Sequence, residues 1–260
     1  MYWLRLLGVV VAAAAGGMVN SIAGGGTLLT FPSLIALGVP ALVANATSTV
    51  ALWPGAVSSM YGYRKQLRGL RRWAAIFAIP SLLGGGVGAW LLLQTSASRF
   101  AHIVPWLVLG ATLLFAVQGP ITRRLRPDQA GADQDDSFAP AHGKAALAWQ
   151  FAVGVYGGYF GAGIGILMLA VLGFMGFSNI HRMNGLKNWG NLCINFVAAV
   201  MFALSGIVDW AVALAMAIGA TSGGYLAARV AQRVPQRIVR HTIVGIGFAA
   251  GIWLLFARLS

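Results

Sequence analysis

The chain has 260 residues, of which 58% are hydrophobic and only 9% are charged. Charge-poor apolar runs recur from end to end, which excludes an ordinary soluble domain and is typical of a helical protein that crosses a membrane several times. Lys and Arg outnumber Asp and Glu by 18 to 5, and because the basic residues lie in short loops between apolar runs, we interpret this excess as a topology signal and expect no nucleic-acid binding.

Eight apolar segments follow one another along the chain, at residues 4–38, 41–62, 73–93, 100–119, 146–177, 183–204, 209–228 and 238–257. A polar stretch between the fourth and fifth segments contains Pro, Gly and four of the five acidic residues. We therefore predict a first membrane repeat over residues 1–119, a cytoplasmic linker over 120–145 and a second membrane repeat over 146–260.

The first segment is too long for one membrane span and too short for two. It has 35 residues, whereas a spanning helix needs about 20, and the stretch "NSIAGGGTLL" at 20–29 puts three glycines in its middle. Segment 146–177 has the same length problem and the same central glycines. We predict that each is a broken, re-entrant hairpin of two short helices, the alternative being one long tilted span.

The two halves repeat each other. "GMVNSIAGGG", ending at Gly26, aligns with "GVYGGYFGAG", ending at Gly163, and each is followed by an apolar stretch and a segment that opens with polar residues. Each half then has one hairpin and three full spans. Because that crossing number is odd, the halves are predicted to be inverted relative to each other, whereas single long spans in place of the hairpins would make them parallel.

Basic residues set the orientation. Loop 63–72 carries five of them, and residues 123–126 and loop 229–237 carry three each. We expect these loops to be cytoplasmic and both termini to lie outside.

The hairpin tips are the first candidate site. Irregular backbone at membrane depth is tolerated only where protein buries it or where it lines a cavity, and helix N-termini attract anions. Alternatively, the glycines only allow close helix packing, which we favour for Gly84–Gly86 and Gly223–Gly224. The tip residues predicted to bind substrate are Asn20, Ser21, Gly24, Gly25, Gly26, Thr27, Gly161 and Gly163.

A polar stripe is the second candidate site. Asn184, Asn188, Asn191 and Asn195 recur at helical steps and share one face with Lys187. Lys187 is the one formal charge clearly inside a predicted span, at a cost of about 2.5–3.5 kcal/mol on an insertion scale. It either compensates the charge of an anionic substrate or snorkels to the interface. The first half echoes the stripe with Asn45, Ser48 and Thr49.

The sequence lacks the residues that proton relay, zinc proteolysis or cysteine chemistry would need. No Asp or Glu lies deep in a predicted span, there is no His-Glu-x-x-His motif, and Cys193 is the only cysteine. We therefore predict no enzyme activity, no cofactor and no metal site. Amides, hydroxyls, helix N-termini and one lysine together favour a small anion.

The chain resembles the sulfite exporter TauE/SafE family, the TSUP permeases. The resemblance rests on "NSIAGGGTLLTFPSLIALGVPALVANATSTVALWPG", "GGYFGAGIGILML" and "NGLKNWGNLCINFVAAVMF". It implies a multi-pass permease of the bacterial inner membrane for sulfite, an organosulfonate or a related sulfur-containing anion. It supports as site residues Gly24, Gly25, Gly26, Pro32, Thr47, Ser48, Gly161, Gly163, Asn184 and Lys187.

The sequence therefore favours a secondary transporter whose partners are the lipid bilayer and a small anion. Two other readings stay open: a transporter of a metal cation or a neutral metabolite, and a non-transporting membrane assembly factor. The sequence specifies neither the direction of flux, nor a coupling ion, nor the oligomeric state.

Overall fold

Helices make up the structure. The computed structural model describes residues 2–22, 24–65, 67, 69–124, 143–177, 179–230 and 236–256. Over those ranges the chain forms ten α-helices and no strand, which confirms the predicted all-α fold. In chain order they are α1 (Tyr2–Ile22), α2 (Thr27–Ala36), α3 (Ala41–Gly62), α4 (Arg71–Gln94), α5 (Ala97–Arg124), α6 (Gly143–Tyr159), α7 (Ile164–Phe174), α8 (Ile180–Ser205), α9 (Trp210–Val230) and α10 (Gln236–Phe256).

The outer surface of the helices suits lipid. Leu204 is 83% exposed and Ile218 is 73% exposed, and many other large apolar side chains face outward. Within the described residues, four helical stretches are long and apolar enough to cross a bilayer: Arg71–Gln94, Ala97–Val117, Ile180–Ser205 and Trp210–Ala227. A soluble protein does not expose apolar side chains on this scale, so the chain is an integral membrane protein.

Both overlong segments are broken at their glycines. Gly24, between α1 and α2, has a φ of 76°, and Gly161 and Gly163, between α6 and α7, have φ values of 81° and 78°. These left-handed conformations favour glycine because it has no Cβ. We call residues 20–22 and 24–27 the first tip, and residues 159–165 the second tip.

The helix that follows each tip is short. α2 has ten residues and α7 has eleven, which at 1.5 Å per residue is about 15 Å, or half of the roughly 30 Å hydrocarbon core. The helix that precedes each tip is longer than the predicted short helix, with 21 residues in α1 and 17 in α6. Helices α2 and α7 are therefore each too short to cross the hydrocarbon core.

The first broken segment folds back on itself. A Cβ built on Gly16 would lie 2.8 Å from Thr30 Cγ2, and one built on Gly26 would lie 3.1 Å from Asn20 Cβ. Later residues of α2 therefore approach earlier residues of α1. The two helices are antiparallel, as a hairpin requires, and do not form one long kinked span.

Each hairpin packs mainly against the other half of the chain. α1 packs on α9 and α6 on α4, while α3 packs on α9 and α8 on α4. The central pairs α3 with α8 and α5 with α10 also join the halves. This contact pattern is largely unchanged when the halves are exchanged, so it has the form of a two-fold pseudo-symmetry.

Glycines form these helix contacts. A Cβ on Gly219 would overlap the Val10 carbonyl, and one on Gly223 would overlap the Ala14 carbonyl. Both contacts advance by four residues along α1 and along α9, so these helices run in the same direction. Gly84 meets the Phe151 carbonyl in the same way. The packing role predicted for the glycines within ordinary spans is confirmed for Gly84 and Gly223.

The range predicted as a linker overlaps the ends of two helices. Helix α5 continues to Arg124 and α6 begins at Gly143, so both helices extend into the range 120–145. The remainder of that range, residues 125–142, lies outside the described residues.

Candidate functional site

The two tips touch each other. The Gly165 N–H donates to the Gly24 carbonyl oxygen over 3.3 Å, and a Cβ on Gly24 would lie 2.5 Å from the Gly165 Cα. Thr27 Oγ1 is 3.9 Å from the position of a Cβ on Gly161. Sequence analysis predicted Gly24, Thr27 and Gly161 as site residues, and the structure brings them together.

Glycine at the other tip positions has a packing reason. A Cβ on Gly25 would overlap the Phe115 ring of α5, and one on Gly26 would overlap the Gly16 carbonyl. Gly163 forms the N-cap of α7 with a positive φ. Since close packing alone explains Gly25 and Gly26, their glycines do not by themselves indicate contact with a ligand.

Lys187 lies at the first tip. Its side chain is fully buried, and Nζ donates to the carbonyl oxygens of Ser21 over 3.3 Å and Ile22 over 3.1 Å. Asn188 Nδ2 donates to the same Ser21 oxygen over 3.4 Å. These carbonyls end α1, where a cation is favoured by the helix dipole. The snorkelling alternative is wrong, because the ammonium group turns to the protein interior.

Asn45 makes the equivalent contact at the second tip, where it binds the end of α6. Its Nδ2 donates over 3.0 Å to the carbonyl oxygen of Tyr159, the last residue of α6, and the side chain is fully buried. Helix α3 of the first half thus caps the hairpin of the second half, while α8 caps the hairpin of the first. The polar starts of these two helices therefore join the tips to the opposite halves.

Two buried polar atoms at the tips lack a partner. Ser21 Oγ and Asn45 Oδ1 have no hydrogen-bond partner among the described residues, and their side chains are 1% and 0% exposed. Buried polar atoms are almost always satisfied by protein, water or ligand. These atoms therefore mark places where a water molecule or a ligand would bind.

The starts of α2 and α7 lie within the tips. The Leu28 N–H donates to the Gly25 carbonyl oxygen over 3.0 Å, and the Ile166 N–H donates to that of Gly163 over 3.1 Å. These N–H groups and that of Gly165 already have carbonyl acceptors, but the N-terminal end of each helix still carries about half a positive charge. Both helix starts are therefore suited to oxygen atoms of an anion.

The rest of the asparagine stripe is less closely tied to the tips. Asn191 is 3% exposed, and its side-chain oxygen accepts a hydrogen bond from Asn195 Nδ2 over 2.9 Å. Asn184 is half-buried near the start of α8. Of the predicted stripe, Lys187 and Asn188 have direct hydrogen bonds to the first tip, while Asn191 is bonded within its own helix.

Three other predicted residues have different surroundings. Ser48 Oγ lies 2.6 Å from Thr30 Oγ1 and holds α2 against α3. Thr47 Oγ1 accepts from the Asp209 N–H over 3.0 Å, so its hydroxyl holds the turn between α8 and α9 instead of facing a tip. Asn20 is half-buried in the last turn of α1.

Sequence reasoning missed Thr30, Tyr159 and Gly165. Thr30 follows Thr27 at a helical step of three and so shares its face, which was a usable signal. Tyr159 contributes only a carbonyl and Gly165 only an N–H, and no sequence pattern distinguishes such backbone contacts.

Charged groups are scarce around the tips. Asp209 is the single acidic residue in the described ranges, and it caps α9 by accepting from the Val212 N–H over 3.1 Å. In that part of the chain no group of three or more His, Cys, Asp or Glu side chains could hold a metal ion. Lys187 is therefore the formal charge nearest to the tips among the described residues.

The fold and these contacts define a multi-pass membrane protein with two glycine-tipped hairpins that meet inside it. The sulfite exporter TauE/SafE family model matches residues 9–254. The chain belongs to the sulfite exporter TauE/SafE family.

Several bacterial relatives match most of the chain. A "probable membrane transporter protein" of Haemophilus influenzae is 28% identical over 233 residues, covering 88% of this chain and 86% of the relative. The "probable membrane transporter protein YfcA" of Escherichia coli K12 is 29% identical over 255 residues, covering 96% and 90%. The "probable membrane transporter protein YunE" of Bacillus subtilis is 29% identical over 240 residues, covering 85% and 87%. Together with the family, these relatives identify the chain as a membrane transporter.

Proposed function

We propose that this transporter is a permease for a small anion: sulfite, an organosulfonate or a related sulfur-containing anion. The anion binds where the tips meet, held by the starts of α2 and α7, by Asn and Ser side chains and by Lys187. The observation that carries the proposal is the fully buried Lys187 ammonium group at the first tip. A buried cation inside a membrane span is costly, and such residues are usually functional.

The charges around the first tip leave a net positive site. The end of α1 contributes about half a negative charge and the start of α2 about half a positive charge, so these two dipoles largely offset each other. The charge of Lys187 then remains uncompensated by the nearby helices. An ammonium group has three N–H donors, and two of them are directed to Ser21 and Ile22. The third is the natural contact for an anion.

The chemistry around the tips supports an oxyanion. Lys187, the Asn188 amide and the Ser21 hydroxyl supply donors, and a carboxylate pair that would bind a cation is absent from the described part of the chain. The family description names sulfite, while the relatives' names give only membrane transport. A sulfur oxyanion therefore fits both the donors and the family.

We also infer that the two halves are inverted, with both termini outside the bacterial inner membrane. Helix α2 folds back along α1, and α3 returns after a short turn, so α3 has the direction of α1. Helix α9 also runs with α1, and a short turn makes α8 opposite to α9. Helix α8 therefore runs against α3, its counterpart in the repeat. The basic residues of loop 63–72 then favour a cytoplasmic position for the end of α3.

Ligand binding and flux by the purified chain test the proposal. Sulfite, thiosulfate and sulfonates should raise its melting temperature with saturation, whereas chloride, divalent cations and neutral metabolites at equal ionic strength should not. The stabilising anion should also enter proteoliposomes that contain this chain alone. Saturable stabilisation by a metal cation, or stabilisation without flux, would contradict an anion permease.

A further inference from the structure

The unpartnered atom of the Asn45 amide, among the described residues, is an acceptor and not a donor. Its amide nitrogen is directed to the Tyr159 carbonyl oxygen at 3.0 Å, which leaves Oδ1 as the unpartnered atom. Rotating the amide by half a turn would bring two oxygen atoms together, so the Tyr159 bond fixes the orientation. The free atom is therefore an oxygen that can only accept a hydrogen bond.

The tip that Asn45 caps is in contact with the first tip. Tyr159 is four residues before Gly163, the N-cap of α7, and the Gly165 N–H of α7 donates to the Gly24 carbonyl oxygen of the first tip. The first tip adds the Ser21 hydroxyl and Lys187 Nζ. A fully deprotonated oxyanion satisfies such donors but places its own oxygen lone pairs against Asn45 Oδ1.

We propose, on the basis of the anion permease proposed above, that Asn45 is a specificity-determining residue. It selects a monovalent oxyanion that carries its own N–H or O–H donor, such as a protonated sulfur oxyacid or an amino- or hydroxyl-substituted sulfonate. A site built to accept a hydrogen bond rejects an analogue without the donor, because the buried acceptor is left unpaired. Repulsion between Asn45 Oδ1 and an anion without a donor contributes to the selectivity as much as the hydrogen bond to an anion that has one.

Two anions of equal charge and nearly equal shape test this. Sulfamate carries an NH₂ group where methanesulfonate carries a CH₃ group, and both are monoanions at neutral pH. Dissociation constants from thermal-shift titrations of the full chain should favour sulfamate by about ten- to a hundredfold, the range expected for leaving one buried acceptor unpaired. Equal dissociation constants in the wild type would overturn the inference, whatever happens to any variant.

Asn45→Leu removes the acceptor at similar volume. The ratio of the dissociation constants of methanesulfonate and sulfamate should then fall to about one. Thr49→Val is the matched control, because the Thr49 hydroxyl is already used in a 2.9 Å bond to the Asn45 carbonyl oxygen; it should keep the wild-type preference. A preference that persists in Asn45→Leu assigns the selectivity to another residue and overturns the inference. Binding of both anions with equal affinity leaves the permease proposal standing, whereas binding of neither anion, nor of sulfite, removes both proposals.

Discussion

Lys187 holds the end of α1 at the first break in the chain. Its ammonium group holds the last carbonyls of α1, and the first N–H groups of α2 begin only a few residues later. In water such a contact would be weak. Inside a membrane the alternative is carbonyl groups without donors, which is costly. The residue is therefore both a helix cap and the source of the charge in the proposed site.

Lys187→Met is expected to lower stability and to abolish anion-dependent stabilisation. The substitution leaves the Ser21 and Ile22 carbonyls without their ammonium donor, at a cost of about 1–3 kcal/mol, and it removes the positive charge. The measurement is the melting temperature of the purified protein with and without sulfite. Lys144→Met, the same change at an exposed position at the start of α6, should leave both values unchanged. A wild-type response to sulfite in Lys187→Met would exclude Lys187 from the site.

At this scale the sequence was informative about side chains and uninformative about backbone. The helical spacing of the asparagines and the isolation of Lys187 in an apolar segment were enough to predict Lys187 and Asn188 as site residues, and the structure brings both to the first tip. Spacing could not show that their partners are carbonyl groups at the end of α1, or that the partner of Asn45 is one at the end of α6. Spacing also could not show that Thr47 faces away from the tips, because the partner of its hydroxyl is the Asp209 N–H.

The hairpins are the elements that distinguish this membrane protein from a simple helical bundle. Segment length and central glycines were sufficient to predict both breaks. The direction of the chain after each break was not predictable from length, because a kinked span and a hairpin have the same composition. For the first hairpin, contacts such as that of Gly16 with Thr30 show that the chain turns back. Such contacts depend on tertiary packing.

Contact between the tips predicts a difference between two glycines with similar backbone conformations. Gly24 has a φ of 76° and Gly38 a φ of 85°, so Ala at either position costs about 1 kcal/mol in strain. A Cβ on Gly24 also meets the Gly165 Cα at 2.5 Å, whereas nothing lies within 4 Å of one on Gly38. Gly24→Ala should therefore abolish flux and lower the melting temperature well beyond Gly38→Ala.

Anion uptake into proteoliposomes and thermal melts of both variants make this comparison. Equal losses in the two variants would show that backbone strain alone matters and that the tips need not touch.

The whole molecule is held together by contacts between its halves. Hairpins pack on the opposite half, and the caps at their tips come from there as well. The repeat in the sequence was sufficient to predict two related halves. It could not predict this exchange of partners, because a tandem repeat of two separate bundles would have the same sequence pattern.

The inferred inversion can be tested by labelling single cysteines in a Cys193→Ala background. Ser96→Cys, in the turn between α4 and α5, should react in intact cells with an impermeant thiol reagent. Lys65→Cys, in the basic loop after α3, should react only after the cells are opened. The reverse pattern would invert the orientation, and equal labelling from outside would contradict the assignment of the turns to opposite sides.

The capping of α1 by Lys187 also constrains how the protein is made. Ser21 and Lys187 are separated by 166 positions in the chain, so the ribosome completes the first hairpin long before its cap exists. Until α8 enters the bilayer, the carbonyls that end α1 have no ammonium donor. The first half is thus a biosynthetic intermediate that matures only when the second half arrives. A chain truncated before α8 would therefore lack the side chains that hold the end of its first helix.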